Sequence, residues 1–199
     1  MKQSIVTLDL EGVLTPEIWI AVAEKTGIAE LRRTTRDEPD YDKLMRFRIG
    51  VLKKSGIRLA AIQKVIAGLG PLPGADRFLR AVRARHSVII LSDTFEPFAA
   101  PLMKQLGWPT IFCNSLETDS KGFISRHVMR LQNGKEHAVH ALQKLHFEVA
   151  AAGDSFNDLT MIQAAQVGVF FRPPESIWAR FPRIPVCRTY PQLIKALCR

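Results

Sequence analysis

The chain has 199 residues, of which 47% are apolar and 24% are charged, and its formal net charge is +9. This length suits one compact unit with room for an insertion, and the composition excludes a disordered chain. No eighteen apolar residues run together, which excludes a membrane-spanning helix, and the apolar stretch before Asp9 is too short for a signal peptide. The expected location is therefore cytoplasmic.

The cysteines and the distribution of charge narrow the class of protein further. Cys113, Cys187 and Cys198 form an odd set without C-x-x-C spacing, which disfavours both a disulfide framework and a structural zinc site. The basic residues are spread over predicted helices without interleaved aromatic residues. Solvated helix faces explain this charge better than a nucleic-acid-binding surface does.

Short β-rich segments alternate with helical patterns along the chain. The predicted strands cover residues 4–8, 87–91, 110–113, 149–152, 167–171 and, more weakly, 185–187. Near-continuous apolar strands separated by helices are typical of a parallel sheet that is covered on both faces. The predicted fold class is α/β, with a doubly wound, Rossmann-like parallel sheet.

More than seventy residues lie between the first two predicted strands, far more than an ordinary crossover needs. Helices are predicted over residues 41–54 and 59–67, and the Gly-Pro-rich stretch 70–74 then returns the chain to the sheet. We therefore expect residues 16–72 to form a small helical cap inserted after strand 1. Residues 1–15 and 73–199 then form the catalytic core, with a β-hairpin that turns near residues 119–122.

Asp9 and Glu11 follow the first predicted strand. Because side chains alternate along extended backbone, both carboxylates leave the sheet edge on the same side, about 6 to 7 Å apart. Such a pair can supply a nucleophile and an acid/base. A carboxylate attacks a phosphoryl group only when the repulsion between the two anions is relieved, usually by a hard divalent cation.

Further acidic residues follow the fourth predicted strand, in the segment from Gly153 to Asp158. Asp154 can point at a metal ion, Asp158 lies one helical turn later on the same face, and Asn157 can orient a carboxylate or a phosphate oxygen. Carboxylates dominate this cluster and no Cys/His set accompanies it. The predicted cofactor is therefore Mg²⁺ rather than zinc.

Two more polar groups fall at the same predicted sheet edge. Ser92 ends the second strand near the expected start of a helix, where it is either a phosphate ligand, together with Asp93, or an ordinary N-cap. Lys135 stands at the start of a helix, where a cation opposes the helix dipole unless an anion compensates it. Groups at the ends of strands one, two and four all lie on one edge of a parallel sheet, which predicts a catalytic edge.

These motifs, in this order, resemble the haloacid dehalogenase superfamily. The strings Asp9-Leu10-Glu11-Gly12-Val13-Leu14, Ile90-Leu91-Ser92-Asp93-Thr94-Phe95 and Ala151-Ala152-Gly153-Asp154-Ser155 are similar to the subgroup of phosphoserine phosphatases that also transfer phosphate from phosphoserine to homoserine. The match spans nearly the whole chain. Most of the superfamily has Asp at position 11, so Glu11 departs from the broad pattern and matches the narrower subgroup.

The resemblance implies an aspartyl-phosphate mechanism with Asp9 as nucleophile and Glu11 as the general acid and base. It implies that Asp9, the Glu11 carbonyl and Asp154 hold Mg²⁺ with Asp158 in support. It further implies that phosphate is held by Ser92, Asp93, Lys135 and Asn157, that Glu17 receives the substrate ammonium group, and that Arg48 receives its carboxylate. A guanidinium fork is well matched to that last task.

Glu17 and Arg48 also have structural interpretations, as a first-turn helix acid and as a surface residue of an amphipathic helix. Hydrolysis of phosphoserine, with water or homoserine as acceptor, is the first hypothesis. A phosphomonoesterase for sugar phosphates or nucleotides is the second, and a basic nucleic-acid-binding protein without catalysis is the third. The expected partner is a small phosphate ester, with no nucleic acid and no membrane; a homodimer is compatible with the sequence.

Overall fold

The computed structural model describes residues 3–35, 37–38 and 40–198. Within these residues the strands form one sheet of seven strands in the order β4-β3-β2-β1-β5-β6-β7, parallel throughout except where β3 meets β4. The strands are β1 (Ser4–Leu8), β2 (Ser87–Phe95), β3 (Thr110–Thr118), β4 (Ile124–Val128), β5 (Glu148–Gly153), β6 (Val167–Phe171) and β7 (Val186–Cys187). The predicted doubly wound α/β class is confirmed.

Helices connect the strands. They are α1 (Ile18–Thr26), α2 (Tyr41–Lys54), α3 (Leu59–Ala67), α4 (Ala75–Arg83), α5 (Glu96–Gln105), α6 (Gly134–Lys144), α7 (Leu159–Ala164), α8 (Glu175–Trp178) and α9 (Tyr190–Leu197), with short 3-10 turns at Ala29–Arg32 and Phe156–Asp158. The helices predicted over residues 41–54 and 59–67 are α2 and α3. No helix of the described chain combines the length and apolar character needed to cross a bilayer.

The central strand β1 has β2 on one side and β5 on the other. Its side chains alternate between the two faces of the sheet. Val6 and Leu8 are fully buried in the larger apolar cluster, while Thr7 donates a hydrogen bond to the Ala150 carbonyl at 3.3 Å. A second cluster lies under α6 and α7, around Val139. Apolar packing on both faces places the carboxyl ends of β1, β2 and β5 at one shared edge, where strand order reverses.

The end of β2 differs from the sequence-based expectation. The strand was predicted to stop at residue 91, but it continues to Phe95 with a shift of register against β3 between Leu91 and Phe95. The Ser92 hydroxyl oxygen accepts a hydrogen bond from the Thr94 backbone N–H at 3.2 Å inside this irregular stretch. Ser92 therefore lies in a bulged strand end and not at the start of α5, which begins at Glu96.

Between β1 and β2 the chain forms α1, α2 and α3, which share apolar packing with the sheet: Ile18, Trp19 and Ile66 belong to the same cluster as Leu8. The predicted hairpin is confirmed as β3–β4. It also contacts the inserted helices. The Leu59 backbone N–H donates to the Gly122 carbonyl at 3.0 Å, and the His127 ring nitrogen lies 2.7 Å from the Asp42 carboxylate.

Gly168 in β6 is a site of close packing between the sheet and α7. A Cβ atom at this position would lie 2.0 Å from the Ile162 carbonyl oxygen, whereas one at Gly50, on the exposed side of α2, would meet nothing within 4 Å. We expect Gly168→Ala to destabilise the protein by about 1 to 3 kcal/mol. Gly50→Ala, the matched control, should raise stability by about 0.4 to 1 kcal/mol. Urea denaturation of both variants measures this, and equal stabilities would contradict it.

Candidate active site

A cluster of carboxylates marks the carboxyl edge of the central strands. Asp9 follows β1, and its backbone N–H donates to the Ala152 carbonyl of β5 at 3.0 Å, so both strand ends are aligned. Carboxylate oxygens of Asp9, Asp154 and Asp158 all lie within 4.8 Å of one another. Asp9 and Asp158 are buried and Asp154 is partly exposed. The structure thus brings together the three acidic residues predicted from the ends of strands one and four.

Lys135, the second residue of α6, points into this cluster. Its Nζ donates to Asp9 Oδ1 at 2.9 Å and to Asp158 Oδ1 at 2.6 Å, and it lies 3.5 Å from the Asp93 carboxylate. The lysine is buried, which by itself would lower its pKa, but the three carboxylates outweigh that effect and raise the pKa well above 10.5. Lys135 therefore remains a fixed cation.

Asp158 is oriented by the strand exit as well as by the lysine. Its Oδ2 accepts hydrogen bonds from the Asp154 N–H and the Ser155 N–H, both at 3.0 Å, and from the Ser155 hydroxyl at 2.9 Å. Its side chain is fully buried. Asp158 thus has most of its acceptor positions filled by the protein, whereas Asp154 is partly exposed and its carboxylate interacts with its own backbone N–H.

Burial in this cluster disfavours the ionised form of its carboxyl groups. Burial raises the pKa of Asp9 well above its usual range, reinforced by Asp158 and only partly opposed by Lys135. Burial, followed by the Asp158 charge, raises the pKa of Asp154 to about 7. A divalent cation between these oxygens would reverse both shifts, and an all-carboxylate donor set is of the type that Mg²⁺ prefers. The residues present fit the predicted metal.

Gly12 brings the loop after β1 against this cluster. Its φ is +76°, and a Cβ atom would lie 2.4 Å from the Asp154 carboxylate. Hydrogen bonds from near and far hold the loop: the Gly12 N–H donates to the Thr15 carbonyl at 2.8 Å, and the hydroxyl of Tyr190, from α9, donates to the Val13 carbonyl at 2.8 Å. The approach of backbone to the carboxylate requires glycine here. No sequence pattern indicates the Tyr190 contact, because its two partners are 177 residues apart.

Glu11 lies in the same loop but faces α1. Its Oε2 accepts a hydrogen bond from the Ile18 N–H at 2.8 Å. Burial and then the neighbouring Glu17 raise the pKa of Glu11 to about 8, with Arg48 acting in the opposite direction. Glu17 is exposed and immediately precedes α1 without capping it, so the interpretation of Glu17 as an acid of the first helical turn is wrong. A carboxyl group that stays protonated at neutral pH can donate a proton to a leaving group.

The predicted phosphate ligands are divided between buried and exposed positions. Ser92 is buried, and Asp93 next to it is partly exposed and contacts Lys135. Asn157 is exposed in the turn Phe156–Asp158 beside the carboxylate cluster. The structure therefore brings Ser92, Asp93 and Lys135 to one place, and leaves Asn157 at the solvent side of the site.

Arg48 is buried, at 5% exposure, which rules out the interpretation as a surface residue of an amphipathic helix. Burial lowers the pKa of its guanidinium to about 10, while the hydroxyl of Tyr41 and the carboxyls of Glu11 and Glu17 act to raise it. Among the residues that the structure describes, its Nε is the buried side-chain nitrogen or oxygen left without a hydrogen-bond partner. An unpaired buried donor of this kind marks a place for an acceptor.

Sequence reasoning missed two residues that hold the carboxyl end of β2, where Ser92 and Asp93 lie. The backbone carbonyl of Asp93 accepts a hydrogen bond from the Tyr41 hydroxyl at 3.2 Å and another from the Asn114 side-chain amide at 3.0 Å. Tyr41 begins α2, and Asn114 lies in β3. The two residues thus link the inserted helices and the hairpin strand to the same carbonyl. A tyrosine at a helix start and an asparagine in a strand carry no signal of such a contact in the sequence.

A doubly wound sheet with buried carboxylates and a buried lysine where strand order reverses defines an α/β protein of the kind that binds its ligand at that reversal. The chain belongs to the haloacid dehalogenase-like hydrolase family, whose profile matches residues 4–166. The family expected from the four motifs is thereby confirmed.

Relatives with curated descriptions support this assignment. The chain is 50% identical over 189 residues to phosphoserine phosphatase ThrH of Pseudomonas aeruginosa, which covers 95% of this chain and 92% of that protein. It is 49% identical over 191 residues to a phosphoserine phosphatase of Pseudomonas syringae pv. tomato, and this alignment covers 96% of this chain and 81% of that protein. A solved structure described as a phospho-aspartyl intermediate analogue of phosphoserine phosphatase matches the fold, with a TM-score of 0.81 at 17% identity over 99% and 100% of the two chains.

The raised carboxyl pKa values predict how the metal-free protein responds to pH. The folded state keeps protons on Glu11 and Asp154 up to about pH 8 and 7, whereas the unfolded state releases them near 4.5 and 3.8. Since the folded state binds more protons in this window, its stability falls as pH rises through it. Thermal melting in EDTA should show Tm decreasing from pH 5 to 8, with Mg²⁺ removing most of the decrease. Glu11→Gln should flatten the EDTA profile, and a Tm that rises with pH would contradict the charge balance.

Proposed function

We propose that this protein is a magnesium-dependent phosphoserine phosphatase that forms an aspartyl phosphate on Asp9 and can also pass the phosphate to homoserine. The observation that carries the proposal is the buried contact of Lys135 with Asp9 and Asp158, 2.9 and 2.6 Å long. This contact places a permanent cation beside a carboxylate at a strand end, where a phosphate must be received. The substrate and the acceptor rest on the resemblance to the phosphoserine phosphatases.

The metal site in this proposal consists of Asp9, Asp154 and the Glu11 backbone carbonyl, with Asp158 in support. Mg²⁺, when bound, neutralises the phosphate oxygens and so lets a carboxylate approach the phosphorus. Asp158, whose oxygens are occupied by Lys135 and by the loop amides, holds the lysine and the strand exit in place. Asp154 has the freer carboxylate and is the more direct ligand.

Asp9 attacks the phosphorus through Oδ2, because Oδ1 is bound to Lys135. As the bond from Asp9 to phosphorus forms, the bond from phosphorus to the serine oxygen breaks, and protonated Glu11 gives its proton to that oxygen. Glu11, now a carboxylate, then removes a proton from water or from the homoserine hydroxyl, which attacks the phosphorus and releases Asp9. The pKa of about 8 leaves Glu11 protonated at the start of this cycle.

The remaining predicted residues receive the two ends of the substrate. Ser92, the Asp93 backbone, Lys135 and Asn157 bind the phosphate group. Glu17 binds the ammonium group, and Arg48 binds the carboxylate with the N–H groups that the protein leaves open.

In the same proposal residues 16–72 act as a cap, and residues 1–15 and 73–199 act as the core. The cap covers the carboxyl edge of the sheet and excludes water from the phosphorylated site. Its junction with the core is tight, because the Leu72 N–H donates to the Leu14 carbonyl at 2.9 Å. The Tyr41 hydroxyl reaches from the cap to the phosphate-binding end of β2.

Asp9→Asn should reduce turnover of phosphoserine to background, because an amide is not a nucleophile for phosphorus. The assay contains Mg²⁺, phosphoserine and homoserine, and it measures free phosphate and phosphohomoserine together. Since both products derive from the same phosphorylated aspartate, both should disappear in the variant. Retention of either product at the wild-type rate would refute the mechanism.

Arg48→Ala should lower kcat/KM for phosphoserine by about 10- to 150-fold, the loss expected for a hydrogen bond to a charged group. Turnover of a sugar phosphate, which has no amino-acid carboxylate, provides the comparison. Wild-type protein should prefer phosphoserine, and the variant should lose that preference. If the variant keeps wild-type kinetics on phosphoserine, the substrate is a different phosphate ester and the alternative phosphomonoesterase function takes its place.

A further inference from the structure

Arg48 reaches the site from α2, and its guanidinium lies over the ring of Trp19, 4.5 Å from the ring centroid. Both side chains are buried, with 5% and 8% of their surface exposed. Trp19 belongs to α1, two residues after Glu17. The tryptophan therefore connects the helix that carries the proposed ammonium ligand with the residue proposed to bind the carboxylate.

The nitrogen atoms at the edge of the Arg48 guanidinium have few partners. One terminal nitrogen donates to the Arg33 carbonyl at 2.7 Å, and the other lies 3.8 Å from the Met45 sulfur, while Nε has no partner. No carboxylate of the described chain lies within 4.0 Å of Arg48, since it forms none of the ion pairs found there. The cation is thus oriented without its charge being neutralised by an acid.

An aromatic ring is suited to this task. Its face stabilises a cation electrostatically, but it supplies no acceptor that would occupy the N–H groups. An acidic residue in its place would bind the guanidinium and block the approach of a substrate carboxylate. A buried arginine that is stacked on a ring and has an unpaired Nε is prepared for an anionic ligand.

The ring of Trp19 is itself fixed by aromatic neighbours. Trp19 meets Phe98 edge-on with centroids 5.4 Å apart, and Phe98 meets Phe95 edge-on at 5.7 Å. Phe95 ends β2, the strand that also carries Ser92 and Asp93. These ring contacts therefore connect the guanidinium of Arg48 to β2, the strand proposed to bind the phosphate.

We propose that Trp19 is a positioning residue that determines specificity for a substrate carboxylate by fixing the plane of Arg48. This inference rests on the proposed function and adds to it the residue through which amino-acid phosphates are distinguished from phosphate esters without a carboxylate. Trp19 acts through Arg48 and does not touch the reacting atoms.

The test compares phosphoserine with O-phosphoethanolamine, which keeps the phosphate and the ammonium group and lacks the carboxylate. Trp19→Met should lower the ratio of their kcat/KM values by about 2- to 30-fold, the range of a cation–π contact, mainly through KM for phosphoserine. Trp19→Phe, which keeps a ring, should fall between wild type and Trp19→Met. Where O-phosphoethanolamine turns over slowly, its inhibition constant against phosphoserine gives the same comparison.

Phe170→Leu is the matched control, because it removes buried apolar contact in a separate cluster with Ile162 and Ile177 and leaves Arg48 and the ring contacts of Trp19 intact. It should lower Tm as Trp19→Met does and leave the ratio unchanged. A Trp19→Met ratio equal to that of wild type, or a ratio that falls equally in Phe170→Leu, would overturn the inference. Arg48→Ala separates the two proposals: if it lowers the ratio and Trp19→Met does not, only the role of Trp19 fails, and if neither does, the proposed substrate fails.

Discussion

The contact of Lys135 with two buried carboxylates is the constraint on which the rest of the site depends. Asp9 follows β1 and Asp158 ends the short turn after the neighbouring strand β5, and their carboxylates, within 4.8 Å of each other, would repel without a cation between them. The lysine comes from the start of α6, a position that is unfavourable for a cation unless anions surround it. Each buried charge is therefore stabilised by the opposite charges beside it. Removing the lysine would leave both carboxylates without this counter-charge.

A second charged group lies on the side of the inserted helices. Glu11 connects the two groups, because it belongs to the same loop as Asp9 while its carboxyl faces α1 and Arg48. Tyr41 connects them again, since its hydroxyl binds the Asp93 carbonyl and lies within electrostatic reach of Glu11 and Arg48. One end of the site thus holds three carboxylates and a lysine, and the other holds Glu11, Glu17 and Arg48, so that charges of both signs are present at each end.

Much of this arrangement could be predicted from the sequence, because it follows from local pattern. Apolar periodicity defined α2 and α3 to the residue, and strand ends followed by Asp9 and Asp154 predicted one shared edge. What could not be predicted depends on tertiary contact. Nothing in the spacing of Arg48 distinguishes a buried cation from a solvated one, and the contacts of Tyr41 and Trp19 arise only when α1, α2 and β2 meet. The extension of β2 to Phe95 was missed because a bulge has no periodic signal.

The position of β1 in the sheet has a consequence for the synthesis of the chain. This strand is made before the other six of the sheet, yet one of its two neighbours, β5, begins only at Glu148. Until that segment leaves the ribosome, the growing polypeptide holds a strand with Val6 and Leu8 and one open row of hydrogen-bonding groups, which is a template for pairing with other chains. Nascent protein in this interval is therefore more exposed to pairing with other chains than the finished sheet, in which β1 has a neighbour on both sides.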